Sequence, residues 1–233
     1  MQRKTKYKHL FFDLDRTLWD FDRNSRDALA DILRHYGLLG YSLNADSFYD
    51  TYSRINNRFW SQYRAGQIGK EFMRKERFVL ALATYGIHNE DLAAKIGEDY
   101  IRLSPYKTSL IPHTVETLEY LHHRYALYII TNGFDDVQFI KLNNSGLDGY
   151  FIKVFTSEQA QSNKPSREIF HLALSSMNAR KEESLMIGDD MEVDILGASA
   201  FGMDQVYFNP DRRPHNEKPT FEIRSLSELQ DIL

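Results

Sequence analysis

Apolar positions along the chain follow two different periods. Four short runs, residues 9–12 (HLFF), 125–130 (YALYII), 150–155 (YFIKVF) and 184–187 (SLMI), are rich in aromatic and branched residues and bounded by polar residues or glycine, the pattern of buried strands. Helix-period stretches separate the last three: 135–145, closed by Gly146, and 166–177, which opens directly after Pro165. A further helical stretch over 191–201 ends at Gly202 and leads to a fifth strand pattern at 205–208 (QVYF). Strands alternating with helices of this length predict right-handed βαβ units and a parallel sheet.

Residues 20–103 break that alternation. They carry helical patterns over 24–36, ending at Gly37, and over 45–65, 70–85 and 89–103, with no convincing strand. Residues 104–112 hold two of the six prolines and read as the return to sheet-forming sequence. The pattern therefore predicts an α/β core from residues 1–17 and 106–233, with an all-helical cap domain, residues 18–105, inserted after the first strand. The two crossings fall near residues 16–22 and 103–112.

Composition narrows the function. Among 233 residues, 29 Lys and Arg face 33 Asp and Glu, a formal charge of −4, which excludes a strongly basic nucleic-acid binder. A hydrophobic share of 42% supports a real core. The absence of cysteine excludes disulfides, thiolate metal sites and cysteine nucleophiles, so any metal must take oxygen or imidazole ligands. The apolar run Leu10-Phe11-Phe12 is broken at once by Asp13 and cannot serve as a signal sequence. No segment approaches the ~20 apolar residues of a membrane span. The expectation is a cytoplasmic protein without a membrane or nucleic-acid partner, in which Lys4, Lys6 and Lys8 form a solvated start to the first strand.

Four polar groups follow predicted strands: Asp13-Leu14-Asp15-Arg16-Thr17, Thr131-Asn132-Gly133, Asn163-Lys164-Pro165 and Gly188-Asp189-Asp190, with Asp194 five residues beyond Asp189. The carboxyl ends of strands are where an open α/β sheet forms its ligand crevice. Asp13 and Asp15, two apart at a strand end, can project to one side of it near Asp189. Carboxylates that close raise one another's pKa unless a cation neutralises them. The group asks for a hard divalent metal, and oxygen ligands alone favour Mg²⁺. The ammonium of Lys164 and donors from Thr131 and Asn132 complete a pocket for a phosphoryl group. A carboxylate nucleophile can form an aspartyl-phosphate, while a neighbouring carboxyl protonates the leaving alkoxide and later takes a proton from water.

In their order, the four motifs resemble those of the haloacid dehalogenase (HAD) superfamily, and together they span nearly the whole chain. The resemblance implies the HAD fold: α/β, a Rossmann-like parallel sheet core with an inserted all-helical cap of the family's first type, which closes over small soluble substrates. It implies that Asp13 is the nucleophile and a metal ligand. Asp15 matches the general acid/base, whose backbone carbonyl also touches Mg²⁺. Thr131 and Asn132 match the phosphate-binding motif, Lys164 the lysine that stabilises nucleophile and phosphate, and Asp189 the metal-binding acid of the fourth motif. Asp194 or Asp190 would support the metal shell. Arg16 departs from the family, which usually has glycine there, so this position tolerates a Cβ. Asp15 carries more weight, because the dehalogenating members lack that acid; phosphoryl transfer is favoured over dehalogenation.

A narrower resemblance, to the pyrimidine 5′-nucleotidase branch, rests on residues 56–68 (NNRFWSQYRAGQI), Arg77-Phe78 and 130–134 (ITNGF). It implies hydrolysis of nucleoside monophosphates. The expectation is a Mg²⁺-dependent phosphomonoester hydrolase acting through phospho-Asp13 on a nucleoside 5′-monophosphate, as a monomer or small homo-oligomer. A sugar-phosphate or phosphoglycolate-type phosphatase and a phosphomutase are the enzyme alternatives. A phosphoacceptor signalling module has a similar residue inventory, but such modules are about half as long, lack a cap and carry the acceptor on a later strand.

Other residues admit plainer readings. Tyr52, Ile55, Phe59 and Tyr63 make one apolar helix face, the core of the cap. Trp60 lies round from it with Asn56, Asn57 and Arg64 on a more polar side, where base stacking and a widened core stripe both stand. Phe21 stands equally between a substrate contact and an anchor. Thr17 is expected to bond its own turn and Gly133 to supply a positive φ. Asp190 is open between metal support and the N-cap of 191–201. His35, His122 and His123 sit at helix ends, where a cation suits the dipole, with no metal-like spacing.

Overall fold

The structure, a computed structural model, describes residues 6–40 and 43–233. Lys4 lies outside the described residues, whereas Lys6 and Lys8 are exposed and pair with Asp204 and Glu183 at 2.6 and 2.8 Å. The chain forms two compact units, one from Phe21 to Lys107, the other up to Asp20 and from Thr108 onward.

The inserted unit is helical throughout: α1 (Phe21–His35), α2 (Ala45–Arg64), α3 (Lys70–Ala83) and α4 (Glu90–Leu103). Asn44 and Asn89 start α2 and α4 by accepting the N–H of Ser47 and Leu92, satisfying donors that the first turn leaves free. The inward faces share a core that includes Leu29, Phe48, Tyr52, Phe78, Leu82 and Ile96. Tyr52 and Phe59 are buried and Ile55 packs on that core. Tyr63 is half-buried, with Trp60 edge-on to it at 5.7 Å. Asn56 does not belong to the polar side expected for it. It stands four residues after Tyr52 and three before Phe59, hence on their face, and is 1% exposed. There it accepts from Arg77 Nη1 at 2.7 Å; the buried guanidinium lies 5.2 to 5.6 Å from the ring centres of Tyr52, Phe78 and Tyr100, a cation held by ring faces.

The other unit is a parallel sheet wrapped by helices. Its strands are β1 (His9–Phe12), β2 (Ala126–Thr131), β3 (Lys153–Thr156), β4 (Ser184–Gly188), β5 (Asp204–Phe208) and β6 (Phe221–Ile223), in the order β3-β2-β1-β4-β5-β6. Between and after them run α5 (Thr114–His122), α6 (Asp135–Asn144), α7 (Ser157–Ala160), α8 (Arg167–Ser176), α9 (Gly197–Phe201) and α10 (Leu229–Ile232). Helices on both faces bury the central strands completely: Leu10, Phe11, Ile129, Leu185 and Ile187 are at most 1% exposed. Phe12 pairs with Ile129 on one side and Ile187 on the other. The chain moves outward through β2 and β3, then returns across β1 to start β4, so β1 and β4 flank the switch point where such sheets open a crevice.

Three details differ from the sequence reading. β6 (FEI) is too short to stand out as a strand pattern. The third strand starts only at Lys153, because residues Asp148–Tyr150 form a 3₁₀ turn. The single helix expected over 191–201 is a π-helical turn, Met191–Leu196, followed by α9, which Gly202 ends at φ +90°. Among the described residues, no helix is long and apolar enough to cross a membrane.

Candidate active site

Asp13 is the first residue beyond β1, and its N–H still donates to the Ile187 carbonyl at 2.9 Å. The backbone then folds back: the N–H groups of Leu18 and Trp19 both donate to the Leu14 carbonyl, and that of Arg16 to the Trp19 carbonyl. The turn needs Arg16 at φ +67°. That left-handed conformation costs a residue with a Cβ roughly 1–2 kcal/mol, a cost glycine would not carry.

Asp13, Asp189 and Asp194 converge, each offering a carboxylate oxygen within 4.8 Å of the others. Lys164 is set among them, 1% exposed. Its three ammonium hydrogens have three acceptors: Asp13 Oδ1 at 2.6 Å, Asp194 Oδ1 at 2.6 Å and the Ile130 carbonyl at 2.7 Å. Gly188 makes the approach of Asp194 possible, since a Cβ there would lie 2.3 Å from Asp194 Oδ2. Three carboxylates thus stand against the ammonium of Lys164, with the Arg16 guanidinium acting on Asp189 from the turn. Burial pushes the Asp13 carboxyl up to about 7 against the pull of Lys164, with Asp194 adding to the rise. Burial, then the charges of Asp13 and Asp194, raise Asp189 well above the usual carboxylate range. Asp194 is raised by burial too, with Lys164 opposing. Burial disfavours the Lys164 ammonium, but Asp13 and Asp194 more than offset it and hold the proton more firmly than in free lysine.

Of the expected metal residues, Asp13 and Asp189 bring their carboxylates together, and Asp194, expected in support of the metal, joins them. Asp15 is expected to reach the ion through its backbone carbonyl; its side chain accepts from Lys141 Nζ on Oδ1 at 2.6 Å and from Gln138 Nε2 on Oδ2 at 3.0 Å. Asp190 is the N-cap of the π-helical turn, its Oδ1 accepting the N–H groups of Glu192 and Val193 at 3.0 Å each. Thr17 does not bond its own turn; its hydroxyl donates to Asp189 Oδ1 at 3.4 Å.

Thr131 ends β2. Its Oγ1 accepts the Gly133 N–H at 3.0 Å and Gln138 Nε2 at 2.7 Å, which leaves its own hydrogen to donate. The carboxamide of Asn132 holds the Lys164 main chain, accepting its N–H at 2.7 Å and donating to its carbonyl at 3.0 Å. Gly133 is not at positive φ, as was expected of it. It is glycine because a Cβ would lie 2.1 Å from Gln138 Nε2.

Gln138 and Lys141 were not read from the sequence as site residues. On α6 they are 0% and 4% exposed, while Phe139 between them is 47% exposed. The available signal is that the apolar positions 137, 139, 140 and 142 form no single helix stripe.

The model of the haloacid dehalogenase-like hydrolase family matches residues 7–202. The chain is 32% identical over 232 residues to the pyrimidine 5′-nucleotidase PynA of Streptococcus pneumoniae, over 97% of this chain and 95% of that one. It is 31% identical over 236 residues to the ribulose-1,5-bisphosphate 5-phosphatase of Halopiger xanaduensis, over 96% and 98% of the two chains. Among solved structures it is similar to the HAD-hydrolase YfnB of Bacillus subtilis, described as bound to magnesium, with a TM-score of 0.89 and 29% identity over 98% of this chain and 99% of that one.

Proposed function

Since the chain belongs to the haloacid dehalogenase-like hydrolase family, we propose that it is a Mg²⁺-dependent phosphomonoesterase that works through phospho-Asp13, with a nucleoside 5′-monophosphate as substrate. The sheet unit is the catalytic core in this reading and the helical unit the family's cap. The observation that carries it is the convergence of the Asp13, Asp189 and Asp194 carboxylates, two of which, Asp13 and Asp194, share the ammonium of Lys164. The cluster fits a hard divalent cation: its ligands are all oxygens, its carboxylates outnumber the cations beside them, and they resist ionisation without a further counter-charge. Asp13, Asp189 and Asp194 would hold the ion, which when bound neutralises charge between nucleophile and phosphate and polarises the phosphoryl oxygens.

The residues of the chain perform the rest. A carboxylate oxygen of Asp13 attacks phosphorus, the ester P–O bond breaks, and protonated Asp15 gives its proton to the departing alkoxide, releasing the alcohol. Water then attacks phosphorus, its proton passes to the Asp15 carboxylate, and phosphate leaves as Asp13 is restored. Lys164 orients the Asp13 carboxylate and offsets the charge that gathers on the phosphoryl oxygens, and the Thr131 hydroxyl donates to one of them. A halide departs as a stable anion, so an acid at Asp15 has no task in dehalogenation. The nucleotide is favoured over other esters by the likeness to PynA along 97% of the chain and by residues 130–134. The ribulose-bisphosphate phosphatase of similar identity supports a sugar phosphate as the second reading.

The test is phosphate release from purine and pyrimidine 5′-monophosphates, sugar phosphates and phosphoglycolate, with Mg²⁺ or with EDTA. Preference for a nucleotide, lost in EDTA and in Asp13→Asn, is the expected result. Preference for a sugar phosphate replaces the substrate but keeps the mechanism; silence across the panel from folded protein overturns both.

A further inference from the structure

The helix α6 turns the wrong residues inward for simple packing. Gln138 and Lys141 are buried while Phe139 is left 47% exposed, and lysine is almost never buried without a partner. Three residues apart, the two share one helix face. That face meets Asp15: Lys141 Nζ donates to Oδ1 at 2.6 Å and Gln138 Nε2 to Oδ2 at 3.0 Å. The second amide hydrogen of Gln138 goes to Thr131 Oγ1 at 2.7 Å. Its own Oε1 is buried and, among the described residues, has no hydrogen-bond partner. The opposite amide orientation would set Oε1 against the Asp15 carboxylate, so the orphaned oxygen follows from giving both hydrogens to the site. Two further features serve the same contacts. Gly133 leaves room for Gln138, and Lys141 Nζ lies 4.3 Å from the ring centre of Trp19, itself 1% exposed, which closes this side to water.

We propose that Lys141 and Gln138 are the positioning residues of Asp15, fixing the plane of its carboxylate so that it meets the leaving oxygen; this rests on the acid–base role given to Asp15 above. An aspartate carboxylate turns readily about its last torsion. One donor on each oxygen stops that rotation. Each oxygen keeps a second lone-pair direction, on which the proton passed to the alkoxide is carried. The Gln138 bridge also ties the orientation of Asp15 to Thr131, on the phosphate side.

A positioning role predicts an effect that depends on the leaving group. An alkoxide must be protonated as it departs, whereas 4-nitrophenolate departs unaided. The experiment measures kcat/KM, which reports the steps through P–O cleavage, for a nucleoside 5′-monophosphate and for 4-nitrophenyl phosphate with Mg²⁺ present. Lys141→Met should lower kcat/KM on the nucleotide by about 10²-fold and on the aryl ester by less than about 5-fold. Lys141→Arg should recover much of the loss, and adding Lys141→Met to Asp15→Asn should change little, because the two act as one. Gln138→Leu carries the same comparison should Lys141→Met not fold. Equal losses on both esters, or additive losses with Asp15→Asn, overturn the inference. An unmodified protein inactive on both esters overturns the phosphatase reading itself, and this inference with it.

Discussion

Asn132 and Lys164 hold one another by a reciprocal pair of hydrogen bonds, the Lys164 N–H to Asn132 Oδ1 at 2.7 Å and Asn132 Nδ2 to the Lys164 carbonyl at 3.0 Å. The carboxamide thus fixes the loop from which the Lys164 ammonium reaches Asp13. Asn132→Ala leaves two main-chain groups without these partners, at about 1–3 kcal/mol of stability. A displaced Lys164 should lower kcat by about 10²-fold. Thermal unfolding and steady-state kinetics of this variant check both; an unchanged kcat would separate the loop from catalysis.

Removing the ammonium is more severe. Lys164→Met leaves Asp13 and Asp194 buried without their counter-charge, at about 3–5 kcal/mol. Both carboxylates already ionise above their usual range, and without Lys164 they rise further. Protonated, they no longer need it. Urea unfolding should therefore show a large deficit near about pH 8 that shrinks near about pH 5.

The sequence made three of the four motifs legible because each falls where an apolar run stops, and such stops mark the carboxyl ends of buried strands. Asp13, Thr131 and Asp189 are legible in this way; Lys164, beyond β3 and α7, is legible only from its place in the order of the motifs. Roles that depend on which atoms meet across the chain were not. Asp194 and Asp190 differ by one helical turn, and a π-helical turn, with no sequence signature of its own, sends the first to Lys164 and makes the second a cap. Gln138 and Lys141 were hidden because burial of a polar residue is a property of its partners. Gly133 and Gly188 announced themselves as glycines, but their cause is the side chain of a later residue, Gln138 or Asp194.

That cause is testable at Gly188. A methyl group there would lie 2.3 Å from Asp194 Oδ2 and 2.5 Å from its Cγ, and Asp194 is too well held by Lys164 to swing aside. Overpacking of this kind costs about 1–3 kcal/mol. Gly188→Ala should lose that stability and also bind Mg²⁺ at least about 10-fold more weakly, the range for disturbed metal surroundings. Calorimetric titration with Mg²⁺ measures the second effect; unaltered affinity would remove Asp194 from the metal site.

The pH dependence of stability should reverse its usual sense at this site and should depend on the metal. Asp13, Asp189 and Asp194 all have carboxyls raised in the folded protein, Asp13 to about 7. A raised carboxyl contributes stability that is fully present below its unfolded value, near about 4, and lost as pH rises through the folded value. Without metal, the contribution of Asp13 therefore falls between about pH 4 and about pH 7. Mg²⁺ binds the ionised carboxylates, so its stabilisation grows over the same interval, approaching about 2.7 kcal/mol where its concentration is a hundredfold above Kd. Thermal unfolding with Mg²⁺ or EDTA across this range should give two curves that diverge as pH rises. Asp189→Asn removes one buried charge and one ligand together, so it should raise the EDTA curve at high pH and bring the Mg²⁺ curve down toward it. Superimposed curves in the unmodified protein would mean that the cluster does not hold the ion, and parallel, displaced curves that its binding is not linked to titration in this range.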